Sequence, residues 1–348
     1  MACVWIEGFE SHLNSAQMGR KYASYSGSFA SKSGRVFGTA AGLSSTLAVT
    51  PPVGSGNTFV IGYGFKYQSH LASPNLNGTG WYVESGPDEQ IHVEHESTSG
   101  VGFRWSLQSG ATTIYTSPYY DFAVWHYFEW KFIVRTGTNG AWEFRHNGST
   151  ISSGTALDTA DSGSDGWDTF AWRTGGNYST AIIYDDVYVC DGTGAKNNDF
   201  LGPSVVEKVE VAAEGTTIEW TPGSGSDNAA QVDDVGTSPP DEVTAGGYNL
   251  SDTNGNKDTF TMTDLTQITG TIHAVQLGVQ MAMGSAGTRV VKTKYRDPDT
   301  TESDGDSHTV DSTVYDEFTQ VFDVNPSSGA AWDVTDIDGG EFGVEVVS

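Results

Sequence analysis

The sequence predicts an all-β protein made of two sandwich-like domains, and three observations predict it. Glycine fills 43 of 348 positions and 12% of residues are aromatic, a composition of many short strands. No long stretch keeps the 3.6-residue apolar period of a helix. Residues 125–151, WHYFEWKFIVRTGTNGAWEFRHNGSTI, alternate instead, with Phe128, Trp130, Phe132 and Val134 on one side and Tyr127, Glu129, Lys131 and Ile133 on the other. The run 136–140 tolerates positive φ, Trp142 and Phe144 resume the pattern, and Asn147-Gly148 suits a type I′ turn into a third strand. An aromatic face on three antiparallel strands needs a second sheet to cover it.

In chain order, residues 3–9 alternate as a first strand, and 34–38 begin another after a small, polar interval. Residues 58–67, TFVIGYGFKY, put Phe59, Ile61, Tyr63, Phe65 and Tyr67 on one face and predict a central strand whose glycines admit a close neighbour. The interval 69–90 is rich in Gly, Pro and Asn and reads as a long loop carrying Trp81 and Tyr82. Strands follow at 91–96, 102–108 and 113–116; a second glycine-rich loop spans 161–180, and 181–190 closes the first domain. The expected division is 1–200 and 201–348, with 191–203 as the join. Beyond it, alternation at 205–212, 257–262, 270–283, 288–296, 307–310, 318–324 and 343–347 predicts a smaller β-sandwich with long polar loops.

Charge narrows the partners. The formal net charge is −27, and residues 201–348 carry 26 Asp/Glu against 6 Lys/Arg. Such a surface repels nucleic acid and phospholipid headgroups, so neither is an expected partner. No run of eighteen apolar residues occurs, and the start MACVWIEGFESH lacks a basic leader region, so a soluble chain is expected. Cys3 and Cys190 form no disulfide framework and are expected as free thiols, as in a reducing cytoplasm.

Chemistry-bearing residues fall in three groups. His92, Glu94 and Glu96 share one face of a strand, with His95 on the other, which suits a carboxylate pair, a metal site or the exposed polar face of an edge strand. Asp185 and Asp186 adjoin on the closing strand, where alternation turns one inward; that one needs backbone donors or a cation. Trp81 and Tyr82 in the first long loop, with Trp167, Trp172, Arg173, Asn177 and Tyr178 in the second, form a candidate glycan site, because aromatic faces stack on sugar rings while Arg and Asn read hydroxyls. The acidic run Asp297, Asp299, Glu302, Asp304, Asp306 reads as an oxygen-rich loop without the EF-hand order. No Gly-x-Ser-x-Gly, His-Glu-x-x-His, phosphate loop or zinc spacing occurs.

The opening Trp5-Ile6-Glu7-Gly8-Phe9, the Gly34-Arg35-Val36 strand, the strand pair 125–135 and 142–146, and the closing Tyr184-Asp185-Asp186-Val187-Tyr188-Val189 resemble the concanavalin-A-like jelly roll in its laminin-G-like form. With Asn198-Asp199-Phe200-Leu201-Gly202 as join and the tail from Ala331-Trp332-Asp333-Val334, the whole chain is similar to tailed-bacteriophage virion proteins. The resemblance implies that Cys3 and Cys190 lie side by side and that calcium at a sheet rim could involve Asp185 and Asp186. It further implies a virion protein made in the host cytoplasm and displayed on the particle exterior, as tail fibre, adhesin or capsid decoration. Its partners would be other virion proteins, further copies of itself (a trimer on that analogy) and host-surface glycans. The Glu-x-Asp-x-x-Glu pattern of jelly-roll glucanases is absent, so a protein without enzymatic activity is expected; the rivals are a glycan depolymerase using Glu94 and Glu96 and an architectural cement protein.

Overall fold

The alternating aromatic stretches pair into two antiparallel sheets. The computed structural model describes residues 3–10, 21–22, 24–26, 29–43, 46–49, 56–68, 76–85, 88–161, 163–173, 182–233 and 247–348. Two compact units divide the chain, Met1–Val206 and Glu207–Ser348. The first contains β1 (Cys3–Glu7), β2 (Ser24–Ser26), β3 (Phe29–Ser33), β4 (Thr39–Leu43), β5 (Thr46–Val49), β6 (Thr58–Tyr67), β7 (Leu76–Ser85), β8 (Asp88–Thr98), β9 (Gly102–Ser109), β10 (Thr112–Thr116), β11 (His126–Ile133), β12 (Gly140–His146), β13 (Ser149–Leu157), β14 (Thr169–Arg173) and β15 (Ile182–Cys190). One sheet runs β13-β12-β11-β6-β15-β4-β3, with β1 also on β15; the other runs β10-β9-β8-β7-β14-β5-β2. Together they make the jelly-roll sandwich of an all-β protein.

Between the sheets lies an aromatic core. Strand β6 is central, and Phe59, Ile61, Tyr63, Phe65 and Tyr67 all turn inward and are buried. Trp130 stacks on Phe144 at 4.1 Å and Trp172 lies 4.3 Å from Tyr184, while Trp81 donates its indole N–H to Tyr63 Oη at 3.2 Å. Aromatic rings interlocked this way contribute both their large buried area and specific edge-to-face attraction. The β12–β13 hairpin turns at Asn147 (φ 49°) and Gly148 (φ 78°), as its sequence predicts. Cys3 is the cross-strand partner of Cys190, and both side chains are buried.

Several stretches differ from the sequence reading. Residues 34–38, read as the beginning of a strand, form the turn between β3 and β4, closed by Gly34 N on the Gly38 carbonyl at 3.1 Å. Residues 76–85, read as loop, form the ten-residue strand β7. Their glycines signal a close packing contact: a Cβ at Gly80 would stand 2.8 Å from the Trp105 ring. Residues 169–173, also read as loop, form β14 between β7 and β5. Within β15 a bulge lies between Asp185 and Tyr188, with Asp186 at φ 50°, so alternation fails at the acidic pair and both carboxylates are buried.

The second unit is β-rich as well. It contains β16 (Val211–Ile218), β17 (Thr221–Pro222), β18 (Asn249–Leu250), β19 (Lys257–Met262), β20 (Val275–Met281), β21 (Arg289–Arg296), β22 (Glu302–Val310), β23 (Asp316–Phe322), the short helix α1 (Val334–Asp338) and β24 (Glu341–Val346). A five-stranded sheet, β16-β19-β24-β21-β22, and the β20–β23 ribbon enclose Ile272, Tyr295, Phe322, Trp332, Ile337 and Phe342. Asp333 and Asp336 cap α1 reciprocally. The acidic run read as a loop is partly strand: Glu302 and Asp304 lie on β22, where Lys257 (2.7 Å) and Lys292 (2.9 Å) bind them.

Gly62 supplies a direct check of this packing. A Cβ there would stand 2.2 Å from the Tyr188 ring. Gly62→Ala is expected to lower unfolding stability by about 1–3 kcal/mol through overpacking, read as a lower urea midpoint with unchanged slope. An unchanged midpoint would show that Tyr188 can lift off the sheet freely.

Candidate functional site

A sandwich exposes two outer faces, and in the first unit the chain itself covers one of them. On the outer face of the β6 sheet, Gly62 pairs with Glu129 on one side and Tyr188 on the other. With no side chain between them, Tyr188 reaches across and donates to Glu129 Oε1 at 2.6 Å. Residues 199–206 then strap this surface. Leu201 N donates to Tyr188 Oη (3.0 Å), Gly202 N to Glu129 Oε1 (2.8 Å) and Val206 N to Asp186 Oδ1 (2.8 Å). Arg35 lies over the Tyr127 ring at 4.9 Å and donates to the Ser204 carbonyl; Arg145 stands 3.9 Å from the Phe200 ring, and Lys131 pairs with Asp199 at 3.1 Å. Under this cover Glu129 is fully buried, and desolvation holds its carboxyl above the usual range against the hydrogen bonds of Tyr188 and Gly202.

The outer face of the other sheet has no such strap among the described residues, and its polar side chains are aligned by strand register. His92 on β8 lies between Tyr82 of β7 and Gln108 of β9; Glu94 is opposite Ser106, and Glu96 is opposite Arg104. Gln108 donates to Glu94, while His92 Nε2 lies 3.7 Å from Glu94 and its other nitrogen meets Glu89. Arg104 grips Glu96 through Nε (2.8 Å) and Nη2 (2.6 Å). The side chains of Glu94 and Glu96 retain 34% and 28% exposure, enough to meet a ligand while held in orientation. As the sequence predicts, His92, Glu94 and Glu96 share this face and His95 points inward, where burial lowers its pKa to about 3.

The aromatic candidates are distributed differently. Trp81 and Trp172 sit on strands and turn into the core, and Trp167 is buried against Phe59 at 4.8 Å with its N–H on the Thr58 carbonyl (2.8 Å). None of the three presents a face to solvent, because each occupies an inward position of the sandwich rather than a loop tip. Tyr82 faces outward beside His92, with 5% exposure. Arg173 ends β14, its side chain outside the described residues; Asn177 and Tyr178 also lie outside them. Arg104 and Gln108 were missed, since only the β8–β9 register, not any motif, brings them beside Glu96 and Glu94.

Asp185 and Asp186 do not fit a cation cage. Asp185 accepts from the N–H groups of Arg35 (2.5 Å) and Asp186 (2.9 Å), and Asp186 from Arg35 Nε (2.7 Å) and Val206 N (2.8 Å). All four oxygens have protein donors, and a guanidinium occupies the position where a cation's charge would be needed. The pair fastens the strap and the Arg35 turn. Beside it, Glu10 is pushed up to about 9 by desolvation and then by the Asp185 charge, and Asp185 up to about 8 by desolvation and then by Asp186.

No protein-family description matches the chain, and no curated protein matches it. Solved structures do align with it. Alginate lyase Aly36B shares 11% identity, covering 53% of this chain and 95% of its own, with a TM-score of 0.34. The PL-14 alginate lyase from Aplysia kurodai shares 12% over 54% and 98%, at 0.38. The binding domain of Paraclostridial Mosquitocidal Protein 1 shares 12% over 55% and 49%, at 0.40. The expectation of a protein without enzymatic activity is corrected by this finding, because polysaccharide lyases are among the structures that align with the chain.

The buried acidic cluster makes stability depend on pH. Folded Glu10 keeps its proton to about pH 9, whereas the ordinary value is 4.5. Its contribution is therefore full below pH 4.5 and is lost as pH rises through the folded value. The melting temperature of the first unit is expected to fall between pH 7 and pH 9, above the range in which its buried histidines titrate, and Glu10→Gln to flatten that fall, leaving the part due to Asp185. Identical pH profiles for the two proteins in differential scanning calorimetry would exclude Glu10 as its origin.

Proposed function

We propose that the open outer face of the β8 sheet is a glycan-active surface, and that Glu94 and Glu96 make it a depolymerase of neutral polysaccharides. The observation that carries this reading is the pair His92 and Gln108 beside two oriented carboxylates, on a sheet face that no strap covers among the described residues. Alternate residues of a strand stand about 6.6–7 Å apart, inside the roughly 5–9.5 Å range over which two carboxyl groups cooperate in glycoside hydrolysis. One protonates the leaving oxygen; the other acts as nucleophile or activates water. His92 and Gln108 supply donors and acceptors for sugar hydroxyls.

Charge selects the substrate class. The described side chains of this face include Glu89, Glu94 and Glu96 against Arg104 and His92, on a chain of formal net charge −27. An acidic face repels uronate polymers and suits hydroxyl-rich neutral chains, whose donors carboxylates accept. The sequence resemblance supports a place on the exterior of a phage particle, where a homo-oligomer, a trimer on that analogy, presents several faces at once and raises effective affinity.

The test is release of new reducing ends from laminarin and galactomannan, with alginate as the uronate control. Glu94→Gln and Glu96→Gln, checked for folding by circular dichroism, are each expected to lower release from the neutral polymers by about 10²–10⁴-fold. Full activity in both variants would overturn the assignment. So would unmodified protein that releases no ends, and retardation in galactomannan gels without release would leave the surface as a binding site only.

A further inference from the structure

At one end of the sandwich, away from the carboxylate face, two histidines meet. β11 begins with His126 and β12 ends with His146, and the register sets His146 opposite Phe128, two residues along from His126 on the same inward side. His126 Nδ1 lies 3.0 Å from His146 Nε2. Both rings are fixed by packing: Phe128 stacks 5.7 Å from His126 and 5.2 Å from His146, and Tyr120 lies 4.6 Å from His146.

Hydrogen-bond chemistry assigns the tautomers. His126 Nε2 lies 3.0 Å from the Asp121 carbonyl, which only accepts, so this nitrogen carries a hydrogen. In the neutral ring Nδ1 is then a bare lone pair. The hydrogen between the rings therefore belongs to His146 Nε2, and His146 Nδ1 is bare in turn.

We propose that the His126–His146 pair is a binding site for a borderline transition-metal ion such as zinc, nickel or cupric copper, held by His126 Nδ1 and His146 Nε2 with solvent completing its shell. Two imidazole nitrogens on one ion, each at ~2.0–2.1 Å, are separated by about 2.9 Å in square-planar and about 3.4 Å in tetrahedral coordination, and the observed separation falls in that interval. The ion replaces the hydrogen bond between the rings, and each ring turns within its aromatic contacts by about 35–45° to aim its lone pair at a common point. The Asp121 carbonyl on the far nitrogen of His126 is the outer contact that orients metal-bound imidazoles. The displaced hydrogen moves from Nε2 to Nδ1 of His146, so the neutral pair takes up the ion without net proton release. Nitrogen-only protein donors disfavour calcium and magnesium.

The test is calorimetric titration of nickel and of zinc into the full chain near neutral pH, in two buffers of different ionisation enthalpy. One ion per chain is expected, with equal heats in the two buffers. His146→Gln is expected to weaken binding by about tenfold or more, and His92→Gln, on the outer sheet face, to leave it unchanged. Should His146→Gln fail to fold, zinc-induced shifts of the His126 and His146 ring nitrogens in the unmodified protein, followed by NMR, replace it. No saturable binding, equal binding by folded His146→Gln, or ring nitrogens that do not respond to zinc would overturn the proposal.

Discussion

The hydrogen bond from Tyr188 to Glu129 across Gly62 is the contact on which the organisation of the first unit depends. It requires a strand position without a side chain, and it places a buried acceptor where the strap's N–H groups can reach it. A carboxylate desolvated on the outside of a sheet is costly unless its donors are supplied. Tyr188 and the strap's Gly202 N–H both donate to Oε1, Oε2 is buried without a partner among the described residues, and the strap covers that face. Among the described residues no such strap covers the outer face of the opposite sheet, and the candidate site lies there.

Core and site are linked through the same strands. β8 turns Ile91, Val93 and His95 inward and His92, Glu94 and Glu96 outward, so the packing that buries one set aims the other. Trp105 and Leu107 do the same for Arg104, Ser106 and Gln108 on β9. Because register on a half-buried sheet cannot slip by one residue without inverting both faces, the rows of polar side chains are held as firmly as the core itself. A functional surface on such strands is preorganised without a loop having to order.

The second unit answers its excess of acidic residues locally. Lys294, nearly buried on β21, meets Asp304 of β22 and Glu345 of β24 (3.0 Å), and Arg296 reaches Glu341 at 3.0 Å while Thr216 and Thr259 also donate to that carboxylate. Each basic residue thus joins neighbouring strands of one sheet. Asp258, also buried, accepts from the N–H groups of Glu219 and Trp220 and from Asn228 Nδ2.

By itself the sequence determined what two-residue alternation can express: an all-β chain, β6 as a central strand with an aromatic inner face, the β11–β12–β13 meander with its Asn147-Gly148 turn, and the shared face of His92, Glu94 and Glu96. Alternation is local, and each of these features lies within one strand or one tight turn. Tertiary structure alone decided that glycine-rich 76–85 is a strand under Trp105, that Trp81, Trp167 and Trp172 face the core, and that a bulge buries both Asp185 and Asp186 beneath Arg35. It also decided the company of Arg104 with Glu96, Gln108 with Glu94, and His126 with His146. These depend on which strands become neighbours and in what register, a long-range choice made by packing two sheets together that no local window of residues contains.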